Sequence, residues 1–203
     1  MLDYAIENQL HEEGFATVCG VDEAGRGPLC GPVFAAACIL PDGLVLEGLN
    51  DSKKLTPKKR DKLFDLICEN AIAYCIASAS VEEIDELNIL EADLLAMRRA
   101  IDGLAVKAEF ALIDGNIARG FQIPARAIIG GDAKSPSIAA ASILAKVARD
   151  RDCITLDVQY PQYGIAKHKG YGTKQHMDAL RTYGPSPIHR KQFIRFLDKD
   201  ANS

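Results

Sequence analysis

The sequence predicts an α/β fold in which a β-sheet lies between layers of helices and is followed by a helical C-terminal extension. Two observations predict it: short apolar runs alternate with helical patterns in the earlier part of the chain, and only helical patterns follow. The 203 residues are 48% hydrophobic and 26% charged, as is typical of a globular protein. Because no repeat or low-complexity segment divides the chain, we expect one domain over residues 1–203, with residues 160–203 forming the extension.

Short apolar runs bounded by turn residues predict five strands, which follow a short N-terminal helix. The predicted strands cover residues 17–21, 32–40, 71–80, 110–113 and 127–129. A glycine-rich turn joins the first two strands, which indicates a tight connection there.

Capping signals predict where the longer helices begin. Thr56 and Ser135 are each followed by proline, a typical N-cap and first-turn pair. Capping-box spacing predicts two more helices, which start at Ser80 and at Asn88. The helix after Ser135 has a face of small apolar residues that can pack closely on a sheet. The last two helices are predicted to begin near residues 173 and 187.

The apolar segments are too short to cross a membrane, and the N-terminus does not resemble a secretory signal. The longest apolar segment, residues 28–40, is interrupted by Gly31 and Pro32. The first 14 residues carry four acids and no Lys or Arg. The six cysteines form no CxxC pair and are expected to be small buried residues. We therefore expect a cytoplasmic monomer with no membrane partner; the sequence indicates no particular protein partner.

Charge is distributed unevenly along the chain, whose formal net charge is −4. Residues 1–118 hold 10 Lys and Arg against 21 Asp and Glu, whereas residues 119–203 hold 14 against 7. A basic C-terminal part beside concentrated acids fits a metal site that faces a polyanion. Composition alone favours the simpler alternative, which is scattered charge on a solvated surface.

Four acidic residues stand at or just beyond the ends of predicted strands: Asp22, Glu23, Asp114 and Asp132. Carboxylates in these places escape the apolar layer and can converge at one edge of the sheet. Neighbouring residues on a regular strand point to opposite faces, so we expect Asp22 and Glu23 to share a site only if the chain leaves strand geometry there. The alternative is that these acids merely end strands and cap helices.

The chemistry of clustered carboxylates indicates a metal site. Such groups repel one another, and a bound cation or a raised pKa relieves the repulsion. Oxygen donors without His or Cys select Mg²⁺ or Mn²⁺ rather than zinc, and the four histidines lack the spacing of metal ligands. Two-metal sites of this kind activate water and stabilise the entering and leaving oxygens of a phosphodiester displacement. We therefore predict phosphoryl-transfer chemistry with Mg²⁺ or Mn²⁺.

Two glycine-rich segments have the residue types of a sugar-recognition site. In AGRGP, Gly25 and Gly27 flank Arg26, and glycine lets the backbone approach a 2′-hydroxyl in a shallow minor groove. In KGYGT, Tyr171 stands between two glycines and is free to offer its ring to a sugar or base. Each segment alone has an ordinary alternative, which is a tight turn with a solvated arginine or a half-buried loop tyrosine.

Basic residues recur around these segments and are candidates for binding phosphates. They are Lys53, Lys54, Lys134, Lys146, Arg149, Lys167 and Lys169.

Taken together, the motifs resemble bacterial ribonuclease HII over residues 18–196. They are CGVDEAGRGPLCGPV, LNDSKKLTPKKR, LIDGN, GGDAKSPSIAAASILAKVARD, YGIAKHKGYGTKQH and YGPSPIHRKQF, in that order. The resemblance implies a ribonuclease H-like fold, with a mixed β-sheet flanked by helices and a helical C-terminal extension. It implies cleavage of the RNA strand of RNA–DNA hybrids. It further implies incision 5′ of single ribonucleotides in duplex DNA, which leaves 5′-phosphate and 3′-hydroxyl ends.

The resemblance also implies roles for particular residues. It makes Asp22, Glu23, Asp114 and Asp132 the catalytic, metal-binding acids. It makes Gly25, Arg26 and Gly27 the segment that recognises the 2′-hydroxyl at the RNA-to-DNA junction, and Tyr171 the residue that packs on the following deoxyribonucleotide. Lys53, Lys54, Lys134 and Lys146 match basic positions near the substrate backbone.

One position departs from the pattern, and two other functions stay open. Gly130 stands where many members have a basic residue, which puts a phosphate contact there in doubt. The first alternative is another nuclease of the same fold, such as a junction resolvase or an exonuclease, against which AGRGP and KGYG argue. The second is a nucleic-acid binding module without catalysis, against which the presence of all four acids argues.

Overall fold

The computed structural model describes residues 2–49, 52 and 55–197, and it contains a five-stranded mixed sheet. The strands are β1 (Val18–Ala24), β2 (Val33–Ile39), β3 (Ala73–Ala79), β4 (Phe110–Asp114) and β5 (Ala125–Ile128). Their order across the sheet is β3-β2-β1-β4-β5. Strand β1 runs antiparallel to β2 and parallel to β4, β2 and β3 are antiparallel, and β4 and β5 are parallel. The predicted α/β class with a mixed sheet is confirmed.

Seven helices lie in the described part of the chain. They are α1 (Ala5–Glu12), α2 (Pro57–Asn70), α3 (Val81–Leu87), α4 (Ile89–Asp102), α5 (Pro136–Gln159), α6 (Ile165–His168) and α7 (Lys174–Tyr183). The capping predictions are confirmed: the side chains of Thr56, Ser80, Ser135 and Thr173 each accept a hydrogen bond from a backbone N–H in the first turn of the helix that follows.

Helices cover both faces of the sheet, so β1 is buried at the centre of three layers. Helix α4 packs on one face, where its apolar residues meet those of β1 and β2. Helices α2 and α5 pack on the other face. Helix α5 comes so close to β1 that a Cβ added to Gly20 would lie 2.1 Å from the carbonyl carbon of Ser137. The small apolar face predicted for α5 therefore does pack tightly on the sheet.

Two local predictions are wrong. Helix formation near residue 187 does not occur; residues 191–193 form a short 3-10 turn instead. The reason is that His189 pairs with Cys30 in an isolated β-bridge, and the Arg190 side chain hydrogen-bonds to the backbone of the loop after β1, for example to the carbonyl oxygen of Gly25. Strand β1 also continues past its predicted end to Ala24, because β2 pairs with it as far as Phe34.

No helix in the described ranges is long and apolar enough to span a membrane.

Candidate active site

Three carboxylates converge where β1 and β4 lie side by side. Asp22, Glu23 and Asp114 each offer one oxygen atom, and these atoms lie within 4.8 Å of one another. Strand β4 ends at Asp114, and its pairing with β1 ends one residue earlier, at Val21 and Ile113. The parallel alignment of the two strands therefore brings Asp114 beside the two acids of β1.

Asp22 and Glu23 share the site although β1 keeps its strand geometry there, so the expectation that the chain must leave the strand is wrong. On the β4 side, the ladder has already ended, and the backbone N–H of Glu23 donates instead to Oδ1 of Asp22 at 2.7 Å. This hydrogen bond holds the Asp22 carboxylate against the backbone of its neighbour, and the Glu23 carboxylate lies within 4.8 Å of it.

The surroundings of Asp22 disfavour a negative charge on its carboxyl group, because Glu23 and Asp114 lie beside it. Asp22 is only 4% exposed. Its burial raises its pKa well above the usual value, and the charges of Glu23 and Asp114 add to this effect. The Ser142 hydroxyl and the Glu23 N–H act in the opposite direction, because they stabilise the charged form. Repulsion of this kind is what a bound cation would relieve.

The donor set fits a hard divalent cation. The three groups offer carboxylate oxygens alone, which suit Mg²⁺ and Mn²⁺ better than zinc. Asp132 lies in the 3-10 turn of residues 131–133 and is buried, but it is not in this group of three. That turn is nevertheless held against the site, because the Gly131 N–H donates to Oδ1 of Asp114 at 2.7 Å.

Residues 25–32, called the GRG loop from here on, follow directly after β1. The buried side chain of Arg190 hydrogen-bonds to the backbone of this loop. Its guanidinium donates to five carbonyl oxygens, those of Gly25, Arg26, Pro28, Gly31 and Pro32, over distances of 2.7 to 3.3 Å. Because all five carbonyls bond to one rigid planar group, the loop has a fixed shape.

A second buried arginine lies under the start of the GRG loop. Gly25 has φ of +105°, and a Cβ there would lie 2.3 Å from Nε of Arg149. Arg149 in turn donates to the carbonyl oxygen of Lys169 at 2.8 Å. Helix α5, which carries Arg149, therefore contacts both the GRG loop and the segment that leads to Tyr171.

Tyr171 lies beside the GRG loop with 48% of its surface exposed. A Cβ on Gly27 would lie 3.4 Å from its ring, and the Leu29 N–H donates to the carbonyl oxygen of Gly170 at 2.8 Å. The Arg149 guanidinium lies 6.0 Å from the centre of the ring. Two glycine-rich segments that are far apart in sequence thus form one surface next to the acids.

The Arg26 side chain lies beside two acids, Glu23 and Asp93. Its Nε lies 3.5 Å from Asp93 and its Nη1 lies 3.9 Å from Glu23. Asp93, on α4, is 2% exposed. Burial and the charge of Glu23 raise its pKa to about 8, while Arg26 acts to lower it. Arg26 therefore connects the three acids to a buried acid on α4.

The lysines predicted to bind phosphate have mixed surroundings. Lys134 donates to the carbonyl oxygen of Ile129, and Lys146 pairs with Asp150 at 2.6 Å. Lys53 and Lys54 lie outside the described residues. Ser52 directly precedes them, and its hydroxyl lies 2.8 Å from the hydroxyl of Ser142, which also interacts with Asp22.

Sequence reasoning missed Arg190 and Asp93 as parts of this site. Asp93 had a visible signal, because it follows Leu90 and precedes Met97 at helical spacing on the buried side of α4. Arg190 had none, since an arginine in a polar segment is ordinary in a sequence.

Comparison with known proteins gives consistent matches. The ribonuclease HII family matches residues 19–196. A ribonuclease HII of Desulfitobacterium hafniense is 58% identical over 187 residues, which cover 92% of this chain and 72% of that protein. The crystal structure of ribonuclease H2 from Pyrococcus horikoshii OT3 superposes with a TM-score of 0.75 at 28% identity, covering 92% of this chain and 99% of that one. Bst-RNase HIII in complex with Mn²⁺ gives a TM-score of 0.65 at 18% identity, covering 93% and 66%, which shows a shared fold.

Proposed function

This chain belongs to the ribonuclease HII family, and from that premise we propose that Asp22, Glu23 and Asp114 hold divalent cations beside a loop that tests for a 2′-hydroxyl. The chain is an endoribonuclease that acts on RNA–DNA hybrids and depends on a divalent metal. Incision at single ribonucleotides and the identity of the metal are parts of the proposal.

One observation carries the proposal: three carboxylates converge, and two of them, Asp22 and Glu23, lie on β1 directly before the GRG loop, while Asp114 joins them from β4. A hard cation supplies Lewis-acid stabilisation of the phosphate oxygens and activation of water when it is bound. The carboxylates fix where such an ion can sit, and the oxygen-only donor set supports Mg²⁺ or Mn²⁺. Asp132 is proposed as a fourth acid that acts from the neighbouring turn.

The GRG loop is proposed to supply the choice of substrate. Arg190 donates to five of its carbonyl oxygens and Arg149 lies against Gly25, so the groups of the loop are already positioned before substrate binds. A rigid loop can discriminate RNA from DNA because a missing 2′-hydroxyl leaves its polar groups without a partner. Tyr171, exposed beside Gly27, is proposed to pack on the deoxyribonucleotide that follows the ribonucleotide.

The remaining parts of the proposal concern the phosphate backbone and the setting of the enzyme. We propose that Lys53, Lys54, Lys134 and Lys146 contact substrate phosphates, Lys146 by exchanging its partner Asp150 for a phosphate. Residues 1–203 act as one catalytic domain of a monomeric enzyme, with residues 160–203 as its helical extension. A cytoplasmic location fits the six free cysteines, four of which are buried.

Cleavage of three labelled duplexes tests the proposal: DNA with one embedded ribonucleotide, the same duplex as DNA only, and a long RNA–DNA hybrid. Each is incubated with Mg²⁺, Mn²⁺ or EDTA. We expect metal-dependent incision immediately 5′ of the single ribonucleotide, with 5′-phosphate and 3′-hydroxyl ends, and no cleavage of the DNA-only duplex. Cleavage of the long hybrid alone would contradict the role given to the GRG loop and Tyr171. Cleavage of the DNA-only duplex would point to another nuclease of the same fold.

A further inference from the structure

A second group of metal-ligating side chains lies behind the GRG loop. Cys30, His176 and His189 each offer one donor atom, and these atoms lie within 4.8 Å of one another. All three side chains are at most 3% exposed. The group is formed from three separate parts of the chain, which are the GRG loop, the first turn of α7 and the segment just before Arg190. None of them takes part in the acidic site.

The ring of His176 is oriented as a metal-binding imidazole is, whereas Nδ1 of His189 faces the N–H, the hydroxyl and the carbonyl oxygen of Ser186. Nδ1 of His176 lies 3.1 Å from the carbonyl oxygen of Tyr171, and Nδ1 of His189 lies 3.3 Å from the carbonyl oxygen of Ser186. Metal-binding histidines usually donate their second ring N–H to a carbonyl or carboxylate in this way. The two Nε2 atoms consequently face each other at 3.2 Å.

The same geometry allows a metal-free arrangement in which every ring is neutral. The backbone N–H of Ser186 donates to Nδ1 of His189, so the His189 proton is on Nε2, from which it donates to Nε2 of His176. His176 then donates from Nδ1 to Tyr171. Conversion to the metal-binding arrangement moves the His189 proton from Nε2 to Nδ1, where the Ser186 hydroxyl at 3.0 Å or carbonyl oxygen at 3.3 Å accepts it, and the Ser186 N–H gives up Nδ1 as its acceptor. It also releases one proton from the Cys30 thiol.

We propose that Cys30, His176 and His189 form a second metal site, selective for a borderline or soft cation such as Zn²⁺. One sulfur and two imidazole nitrogens are typical zinc ligands, and they leave one tetrahedral position for water. Mg²⁺ and Mn²⁺, which prefer oxygen ligands, would stay at the acids. The two sites are therefore expected to bind different cations, because their ligand atoms differ. The proposal for the second site does not depend on the function proposed for the acids.

Occupation of this site would join the segments that carry the substrate-recognition surface. Cys30 and His189 already pair in a β-bridge, and His176 bonds to the backbone of Tyr171. A cation bound to all three would cross-link these contacts and stabilise the folded protein by mass action. The segment directly before His176, residues 171–175, is exposed, so the group lies beside the surface in the sequence.

Cobalt absorption tests the site, because a cysteine thiolate bound to Co²⁺ gives a charge-transfer band that carboxylates do not give. The full-length protein is freed of metal, supplied with excess Mg²⁺ and titrated with Co²⁺. Cys30→Ala is the test variant. Cys153→Ala is a matched control, because Cys153 is a second buried cysteine in the same hydrophobic cluster and lies outside the donor group.

We expect the band to saturate at one thiolate-bound cobalt per chain in wild type and Cys153→Ala, and to be absent in Cys30→Ala. We also expect Zn²⁺, with Mg²⁺ in excess, to raise the melting temperature of wild type and Cys153→Ala more than that of Cys30→Ala. No thiolate band in wild type, or an equal band in Cys30→Ala, would overturn the site. Equal zinc-induced shifts in wild type and Cys30→Ala would do the same.

Discussion

Nη2 of Arg190 donates to the carbonyl oxygen of Gly25 at 2.7 Å across a separation of 165 residues. This contact connects the residue that follows β1 to the C-terminal helical part. It means that the shape of the GRG loop depends on a side chain that is distant from the acids in the sequence and is not one of them.

Arg190→Lys should therefore damage discrimination and stability together. Lysine has no planar fork, so several of the five loop carbonyls would lose their donor inside the protein. We expect the free energy of unfolding to fall by about 3 kcal/mol or more. Urea unfolding, together with the ratio of cleavage rates on the single-ribonucleotide and DNA-only duplexes, measures both effects. Arg195→Lys, an exposed change nearby, serves as the control; a result for Arg190→Lys equal to that control would contradict the loop-holding role.

Asp114→Asn should stop turnover and spare the fold. The change removes one ligand charge and also removes repulsion that acts on the buried Asp22. We expect the cleavage rate to fall by at least about 100-fold. Loss of a residue that only hydrogen-bonds to a metal ligand already lowers metal affinity or activity by about 10- to 100-fold, and Asp114 is proposed as a ligand itself. Melting temperature without metal should stay equal or rise. Asp102→Asn, at the end of α4, is the control and should keep full activity. Near wild-type turnover in Asp114→Asn would refute the metal assignment.

Tyr171→Ala should reduce junction recognition more than stability. The ring is 48% exposed, so its loss removes little buried area, whereas loss of a stacking contact is expected to reduce incision at a single ribonucleotide by about 10-fold. The comparison is made between the single-ribonucleotide duplex and the long hybrid. Tyr183→Ala, which removes another exposed tyrosine, should leave the ratio unchanged. If both variants behave alike, the proposed packing is wrong.

Stability should fall in mild acid because of the buried histidine pair. Burial and the charge of His176 lower the pKa of His189 to about 4. Between its unfolded value, about 6.5, and this folded value, the unfolded chain binds a proton that the folded protein does not. The contribution of His189 to the free energy of unfolding is therefore fully present above about pH 6.5. It is lost as the pH falls from about 6.5 toward about 4.

Urea unfolding at pH 7.5 and pH 5 measures this effect. His189→Gln should show a smaller loss between the two pH values than wild type, while His11→Gln, which changes a partly exposed histidine in α1, should match wild type. An equal loss in His189→Gln and wild type would show that other groups carry the acid sensitivity.

Local signals in the sequence were sufficient for the strands, most of the helices and the convergence of three of the four predicted acids; Asp132 lies outside that group. Thr56, Ser80 and Ser135 cap helices through bonds to residues three positions away, so their spacing is visible in the sequence. The site beyond the acids depends on contacts between distant segments. Arg190 and the Cys30, His176 and His189 group come together only after folding, and no fixed spacing reveals them. The error at Asp22 and Glu23 has a different cause, because neighbouring side chains can share a strand edge once the adjacent strand has ended.

The separation between Gly25 and Arg190 also sets an order of events while the protein is being made. The strands that bring the acids together, β1 and β4, are complete once residue 114 has left the ribosome, well before Arg190 has been synthesised. Until then the five loop carbonyls have water as their partner, and the loop is free to change shape. A nascent chain would thus bring its three acids together before it has the rigid GRG loop that we propose tests for a 2′-hydroxyl. On that proposal, discrimination would mature after the acidic site.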